Sequence, residues 1–216
     1  MNPKTTTLKV REMFYSLQGE GSRAGEASVF IRLADCNKNC WFCDTDWSFG
    51  RIHSLEHIME RMAKWGIDKP DTWYPGWKPW IIWTGGEPTL QLTSEIVAFF
   101  KEQGFRQAIE TNGTNVPPDG LDYITCSPKV DPPVLHKAFK NHRVNEFRYP
   151  CMANQAPPPI EELPPADYYY ISPMFLGEKK KMMTLDQDNL QFCINYIRQF
   201  PQWRLSMQQH QIWNIR

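Results

Sequence analysis

Short apolar, β-branched and aromatic runs recur along this chain, each three to eight residues long. They fall at 8–15, 28–33, 80–83, 107–110, 123–125, 145–149, 168–171 and 204–207, and their length and residue types predict strands. Between several of them the apolar period changes to that of a helix. Ser54 stands where an N-cap belongs, followed by Leu55, Ile58, Met59 and Met62 on one helical face. Thr93 is the matching cap for Ile96, Val97 and Phe100, and Leu190, Cys193, Ile194 and Ile197 repeat the period further on. Alternating strand and helix predicts an α/β fold with a mainly parallel sheet and right-handed crossovers. The pattern fits an open sheet and a complete or partial barrel alike. Proline pairs and triplets at 117–118, 132–133, 157–159 and 164–165 read as loops rather than as linkers, so residues 1–216 are expected to form a single domain.

Composition narrows the function classes. Hydrophobic residues make up 41%, as in a globular protein, and 24 basic residues balance 24 acidic ones. That balance leaves no basic footprint for nucleic acid and no polybasic membrane anchor. No run is long and apolar enough to span a bilayer, and the first residues carry no apolar signal core. A cytoplasmic, reducing compartment is the expectation, in which six cysteines read as metal ligands or buried thiols rather than as disulfides.

Three of the six carry the sharpest pattern. Cys36, Cys40 and Cys43 are spaced C-x3-C-x2-C, with Phe42 just before the last. Three thiolates can hold three irons of a 4Fe–4S cluster and leave the fourth iron open. A structural zinc site wants four ligands, commonly as two C-x2-C pairs, and no second pair exists here. A three-cysteine zinc and inert thiols are the other readings. Cys126, Cys151 and Cys193 are isolated in sequence and read as core or near-surface thiols. Further on, a predicted strand runs straight into Thr84-Gly85-Gly86-Glu87-Pro88, where glycines let a ligand approach the backbone and free N–H groups can hold a carboxylate. A tight turn is the plainer reading of Gly-Gly alone.

Together the two motifs resemble the radical S-adenosylmethionine (SAM) superfamily. The resemblance implies a modified, incomplete βα barrel, with Cys36, Cys40 and Cys43 on a 4Fe–4S cluster. It also implies SAM contacts from Phe42, Cys43 and Asp44 and from the Gly85, Gly86 and Glu87 stretch. A closer resemblance, to the 7-carboxy-7-deazaguanine synthases, rests on Leu17-Gln18-Gly19-Glu20-Gly21, Phe30-Ile31-Arg32, Cys43-Asp44-Thr45, Glu110-Thr111-Asn112-Gly113-Thr114, Ser127-Pro128-Lys129 and the stretch from Trp203 to His210.

That family implies an enzyme that turns 6-carboxy-5,6,7,8-tetrahydropterin into 7-carboxy-7-deazaguanine with loss of ammonia. It implies Mg²⁺ held by the Thr45 hydroxyl, and further SAM contacts from Ser127, Pro128, Lys129, Ser172, Pro173, Met174 and Phe175. Leu17, Gln18, Gly19, Glu20, Arg32, Thr84 and His210 would contact substrate. A flavodoxin or ferredoxin as electron donor and a homodimer also follow from the resemblance, whereas nucleic acid and membrane are not expected partners. Arg32, lying in a strand pattern, could instead pair a structural carboxylate, Thr45 could cap a turn, and Glu20 could be a surface charge.

Departures from the family pattern touch the pocket rim. Ser172-Pro173 stands for the usual Gln-Pro, and Gln208-Gln209-His210-Gln211 lacks the usual lysine. Two other functions compete: a radical SAM activase that installs a glycyl radical on a partner protein, and a zinc-stabilised binding module.

Overall fold

The computed structural model describes residues 1–43, 45–67, 78–176 and 184–216. They form two compact units. The first comprises Met1–Ser16, Glu26–Glu110 and Pro117–Tyr123, and the second Leu17–Gly25, Thr111–Val116 and Ile124–Arg216.

The first unit carries β1 (Thr7–Leu17), β2 (Ala27–Leu33), β3 (Arg51–Ser54), α1 (Leu55–Ala63), β4 (Trp80–Gly85), α2 (Ser94–Glu102) and β5 (Gln107–Thr111). Its strands lie in the order β3-β1-β2-β4-β5. β2 and β5 both run parallel to β4, whereas β3 pairs antiparallel with β1. Ile81, Ile82 and Trp83 are fully buried, as expected of a parallel strand covered on both faces. Buried Trp83 donates its indole N–H to Gln107 Oε1 at 3.0 Å, and Gln107 Nε2 donates to the Val97 carbonyl at 2.7 Å, so the core amide and indole are satisfied. Both predicted caps form: the Ser54 hydroxyl accepts from His57 N and the Thr93 hydroxyl from Ile96 N.

The second unit carries β6 (Tyr123–Cys126), α3 (Pro132–Ala138), β7 (Val144–Cys151), β8 (Ala166–Pro173), the two-residue strands β9 (Phe175–Leu176) and β10 (Thr184–Leu185), α4 (Gln187–Gln199), β11 (Trp203–Leu205) and α5 (Gln209–Trp213). β6, β7, β8 and β11 lie in that order, all parallel. β9 and β10 form a separate antiparallel pair.

The structure departs from expectation at three elements. Pro132-Pro133 opens α3 rather than a loop, because a helix's first turn needs no donor from its N–H groups and proline's fixed φ is already helical. β3 carries no apolar alternation, being a short edge strand with Ile52 exposed. On α4 the buried positions are Asn189 and Cys193; Asn189 faces inward because its side chain bonds the Ala153 N–H and the Met174 carbonyl. Cys126, Cys151 and Cys193 are all buried. Cys151 and Cys193 prove to be neighbours, each perturbing the other's thiol, and the Cys151 thiol donates to the Tyr149 carbonyl at 3.5 Å. Among the described residues no helix is long and apolar enough to cross a membrane.

Candidate active site

Most of the predicted site segments follow the C-terminal ends of strands, where parallel α/β folds place their chemistry. In the first unit β2 ends at Leu33 and hands over to the cysteine loop, while β4 ends at Gly85. The two are neighbours in register: Arg32 pairs with Thr84 and Leu33 with Gly85. Directly paired residues share a sheet face, so Arg32 and Thr84, both expected at the substrate, stand side by side. Arg32 donates to Glu12 Oε1 at 2.9 Å and lies over the Phe14 ring, itself stacked on Phe30. The carboxylate partner considered from sequence is therefore present. The pair is about one-third exposed, so water already screens it and its rearrangement around a ligand is inexpensive.

The glycine motif is docked on the stem of the cysteine loop. Gly86 N donates to the Leu33 carbonyl at 2.9 Å and Glu87 N to the Asp35 carbonyl at 3.0 Å. A Cβ on Gly86 would sit 1.8 Å from Asp35 O, and one on Gly85, at φ +112, would sit 2.3 Å from Leu33 O. These glycines are thus required by the neighbouring backbone. The N–H groups of Gly86 and Glu87, which sequence reasoning left free for a carboxylate, are engaged inside the protein. Asp35 turns the chain out of β2 in the left-handed region, at φ +69, a conformation aspartate tolerates better than most residues. Glu87 is wholly buried, and its carboxylate accepts from the N–H and hydroxyl of Thr89, capping the short turn Pro88–Leu90. Gln91 completes the joint: its amide donates to the Ala34 carbonyl at 2.7 Å and accepts from Lys9 N at 2.8 Å.

Cys36, Cys40 and Cys43 are half-buried free thiols on this loop. Lys38 N donates to Cys36 Sγ, Cys43 N to the Cys40 carbonyl, and the Cys43 thiol to the Thr45 carbonyl. Burial pushes the Cys36 thiol above its ordinary range; the Lys38 N–H pulls it down, and Glu87, Cys43 and Cys40 push it further up. Among the described residues no three His, Cys, Asp or Glu side chains are arranged to hold a metal ion. The donor set nevertheless suits iron: three soft sulfur ligands free of disulfides, close enough to feel one another's charge. Phe42 packs edge-on against exposed Trp41, and Thr45 is half-buried. Asp44 lies outside the described residues.

The second unit gathers the remaining predicted residues. Leu17 is exposed and Gln18 buried; the Gln18 carbonyl accepts from Gly25 N and its side chain from Glu20 N. Gly19 lies against His210, whose Nδ1 would be 2.4 Å from a Cβ there, and its carbonyl accepts from Gln209 N. Gln208 Nε2 donates to Glu20 Oε1, and Ser206 Oγ accepts from Gly21 N. The structure therefore brings 18–21 together with 206–210. Ser127 N and Lys129 N donate to the Thr111 and Asn112 carbonyls, and the Lys129 ammonium turns back onto Ser127 Oγ at 2.8 Å. The Ser172 hydroxyl is buried with no hydrogen-bond partner among the described residues, beside Pro173. Met174 N donates to the Cys151 carbonyl, and Phe175 is buried. Gln91, Glu146 and Arg148 also belong to these arrangements, although no motif marked them. Their only sequence signal is a long polar side chain close to apolar neighbours.

Comparison with known proteins places these arrangements in context. No family model matches the chain. A 7-carboxy-7-deazaguanine synthase of Bacteroides thetaiotaomicron is 32% identical over 208 residues, covering 96% of this chain and 98% of that protein. Those of Bordetella pertussis and Haemophilus influenzae are 34% and 35% identical, covering 93% and 96% of this chain and 95% and 94% of those proteins. A crystal structure of QueE from Escherichia coli superposes with a TM-score of 0.69 at 23% identity over 96% of each chain, so the fold is the same.

Proposed function

Because this chain belongs to the 7-carboxy-7-deazaguanine synthase family, we propose that it converts 6-carboxy-5,6,7,8-tetrahydropterin into 7-carboxy-7-deazaguanine and ammonia, as a radical SAM carbon–nitrogen lyase of queuosine-type biosynthesis. The observation that carries this reading is the joint between the two motifs: a three-cysteine loop whose stem is the backbone on which Gly86 and Glu87 dock. Cys36, Cys40 and Cys43 would hold the 4Fe–4S cluster. When bound, the cluster and SAM supply the one-electron chemistry that opens the pterin ring to contraction.

The chain's residues bind and orient. Phe42, Cys43, Asp44, Gly85, Gly86, Glu87, Ser127, Pro128, Lys129, Ser172, Pro173, Met174 and Phe175 make up the proposed SAM site. The buried Ser172 hydroxyl, without a partner among the described residues, favours that assignment. At the substrate, Arg32 exchanges Glu12 for the pterin carboxylate, a planar fork for a planar acid, with Thr84 beside it on the same face. Mg²⁺ is assigned to the Thr45 hydroxyl and the substrate carboxylate, hard oxygen donors for a hard cation. Leu17, Gln18, Gly19, Glu20 and His210 are the further proposed substrate contacts. The chain acts as one radical SAM domain, in a cytoplasmic homodimer, with flavodoxin or ferredoxin as one-electron donor.

The test is anaerobic reconstitution with iron and sulfide, reduction, and addition of SAM and the pterin acid with and without Mg²⁺. Pterin-dependent 5′-deoxyadenosine and a deazaguanine acid are expected. SAM cleavage with no pterin product refutes the substrate, and a colourless zinc protein refutes the cluster.

A further inference from the structure

β7 buries two opposite charges two residues apart on one face, Glu146 and Arg148, respectively 1% and 5% exposed. Ion pairs this deep need every remaining hydrogen-bonding position filled, or desolvation outweighs attraction. Glu146 is filled: Arg148 Nη2 and the Thr125 hydroxyl meet Oε1, and the N–H and hydroxyl of Ser22 meet Oε2. Arg148 then reaches outward, and its Nη1 donates to Glu20 Oε2 at 2.8 Å. The other Glu20 oxygen accepts from Gln208. Side-chain exposure rises along this chain of charges from 2% at Glu146 to 6% at Arg148 and 18% at Glu20. The fit is tight, because a Cβ on Gly21, at φ +69, would lie 2.2 Å from Glu146 Oε1.

We propose that Arg148, pinned by Glu146, is a positioning residue that holds the Glu20 carboxylate toward the N–H edge of the pterin. The inference rests on the substrate reading of residues 17–20 given above. An ionised carboxylate accepts only, and the pterin's ring and amino N–H groups are donors. Glu20 therefore reads a donor edge of the substrate.

The test is a double-mutant cycle on the reconstituted holoenzyme with Arg148→Lys, Glu20→Gln and the double variant. Lysine keeps the charge but loses the fork that bonds both carboxylates. R148K should raise KM for the pterin about tenfold, lower kcat less, and increase the share of SAM cleaved without pterin product. In the E20Q background the same change should add less than twofold, because the carboxylate that Arg148 positions is gone. Equal effects in both backgrounds, or a lower Tm with KM unchanged, would make Arg148 purely structural and overturn the proposal. Glu146→Gln, which keeps the side chain's size but replaces one acceptor oxygen by a donor, is expected to raise KM as well; an unaltered KM counts against the proposal. Failure of the wild-type protein to turn over the pterin brings down the proposed function and this inference with it. Turnover by the wild type with a background-independent R148K effect brings down the inference alone.

Discussion

Replacing Gly86 by alanine tests whether the glycine motif is structural to the cysteine loop. The added Cβ would sit 1.8 Å from the Asp35 carbonyl oxygen, against the 3.4 Å at which ordinary contact begins. Relief requires the turn after β4 and the stem after β2 to separate by about 1.6 Å, the difference between those distances. That separation breaks the bonds from Gly86 N to Leu33 O and from Glu87 N to Asp35 O, now 2.9 and 3.0 Å long. Each is worth about 1 kcal/mol net, and overpacking adds about 1–3 kcal/mol. The loss is therefore about 3–5 kcal/mol, or roughly 10 °C in Tm for a chain of this size. Asp35 directly precedes Cys36, so iron retention should fall with it. The assay is Tm by calorimetry on the apoprotein together with iron and sulfide content after reconstitution. Gly25→Ala is the control: it has φ +90 but nothing within 4 Å of its Cβ, so it carries only the conformational penalty. If G86A matches G25A in both Tm and iron content, the docking argument is wrong.

Gln91→Ala should cost about 1–3 kcal/mol in denaturant unfolding and lower iron retention, since it removes the amide joining Lys9 and Ala34. Serine at Cys36, Cys40 or Cys43 should abolish the visible iron–sulfur absorbance while leaving the apoprotein Tm within a few degrees. Serine at buried Cys126 should leave the spectrum intact; loss of the cluster there would refute the ligand assignment. Gln107→Leu strips the indole of buried Trp83 of its acceptor and should cost about 1–3 kcal/mol by urea unfolding. His53 titrates below its ordinary range because burial and the nearby His57, Arg61 and Arg51 charges disfavour its protonated form. The unfolded chain then binds the proton more readily, so stability is highest when His53 is neutral and falls as pH drops through about 6.5. His53→Asn should flatten that part of the stability–pH curve, and an unchanged slope would refute the assignment.

The parts of the fold legible in the sequence were those written in short-range pattern. Ser54 and Thr93 cap helices because a hydroxyl before an apolar period has one obvious use, and 80–83 is a strand because no amphipathic helix tolerates such a run. The parts that were not legible depend on partners distant in sequence. Arg51 to Ser54 pairs only because β1 offers an edge. The glycines at 85 and 86 have a second reason that the sequence did not show: the side a Cβ would take is filled by the backbone of Leu33 and Asp35. Cys151 and Cys193 looked solitary because β7 and α4 are separated by most of the second unit. Glu146 and Arg148 lie in a predicted strand with no motif to mark them; the structure shows them buried and bonded to Ser22 and Glu20. The three cysteines stand out as a candidate ligand set because their chemistry and spacing are local, and the structure shows them as half-buried free thiols on one loop.

The contacts of residues 206–208 with residues 20–21 have a consequence for biogenesis. Ser206 meets Gly21, and Gln208 meets Glu20, across 185 and 188 positions of chain. At about 5–20 residues per second of synthesis, the early segment waits roughly ten to forty seconds for its clasp. The cysteine loop, Gly86 and Gln91 are all made within the first 91 residues. On the proposed assignments, a nascent chain carries the three cluster cysteines well before residues 206–208 arrive to meet residues 20–21.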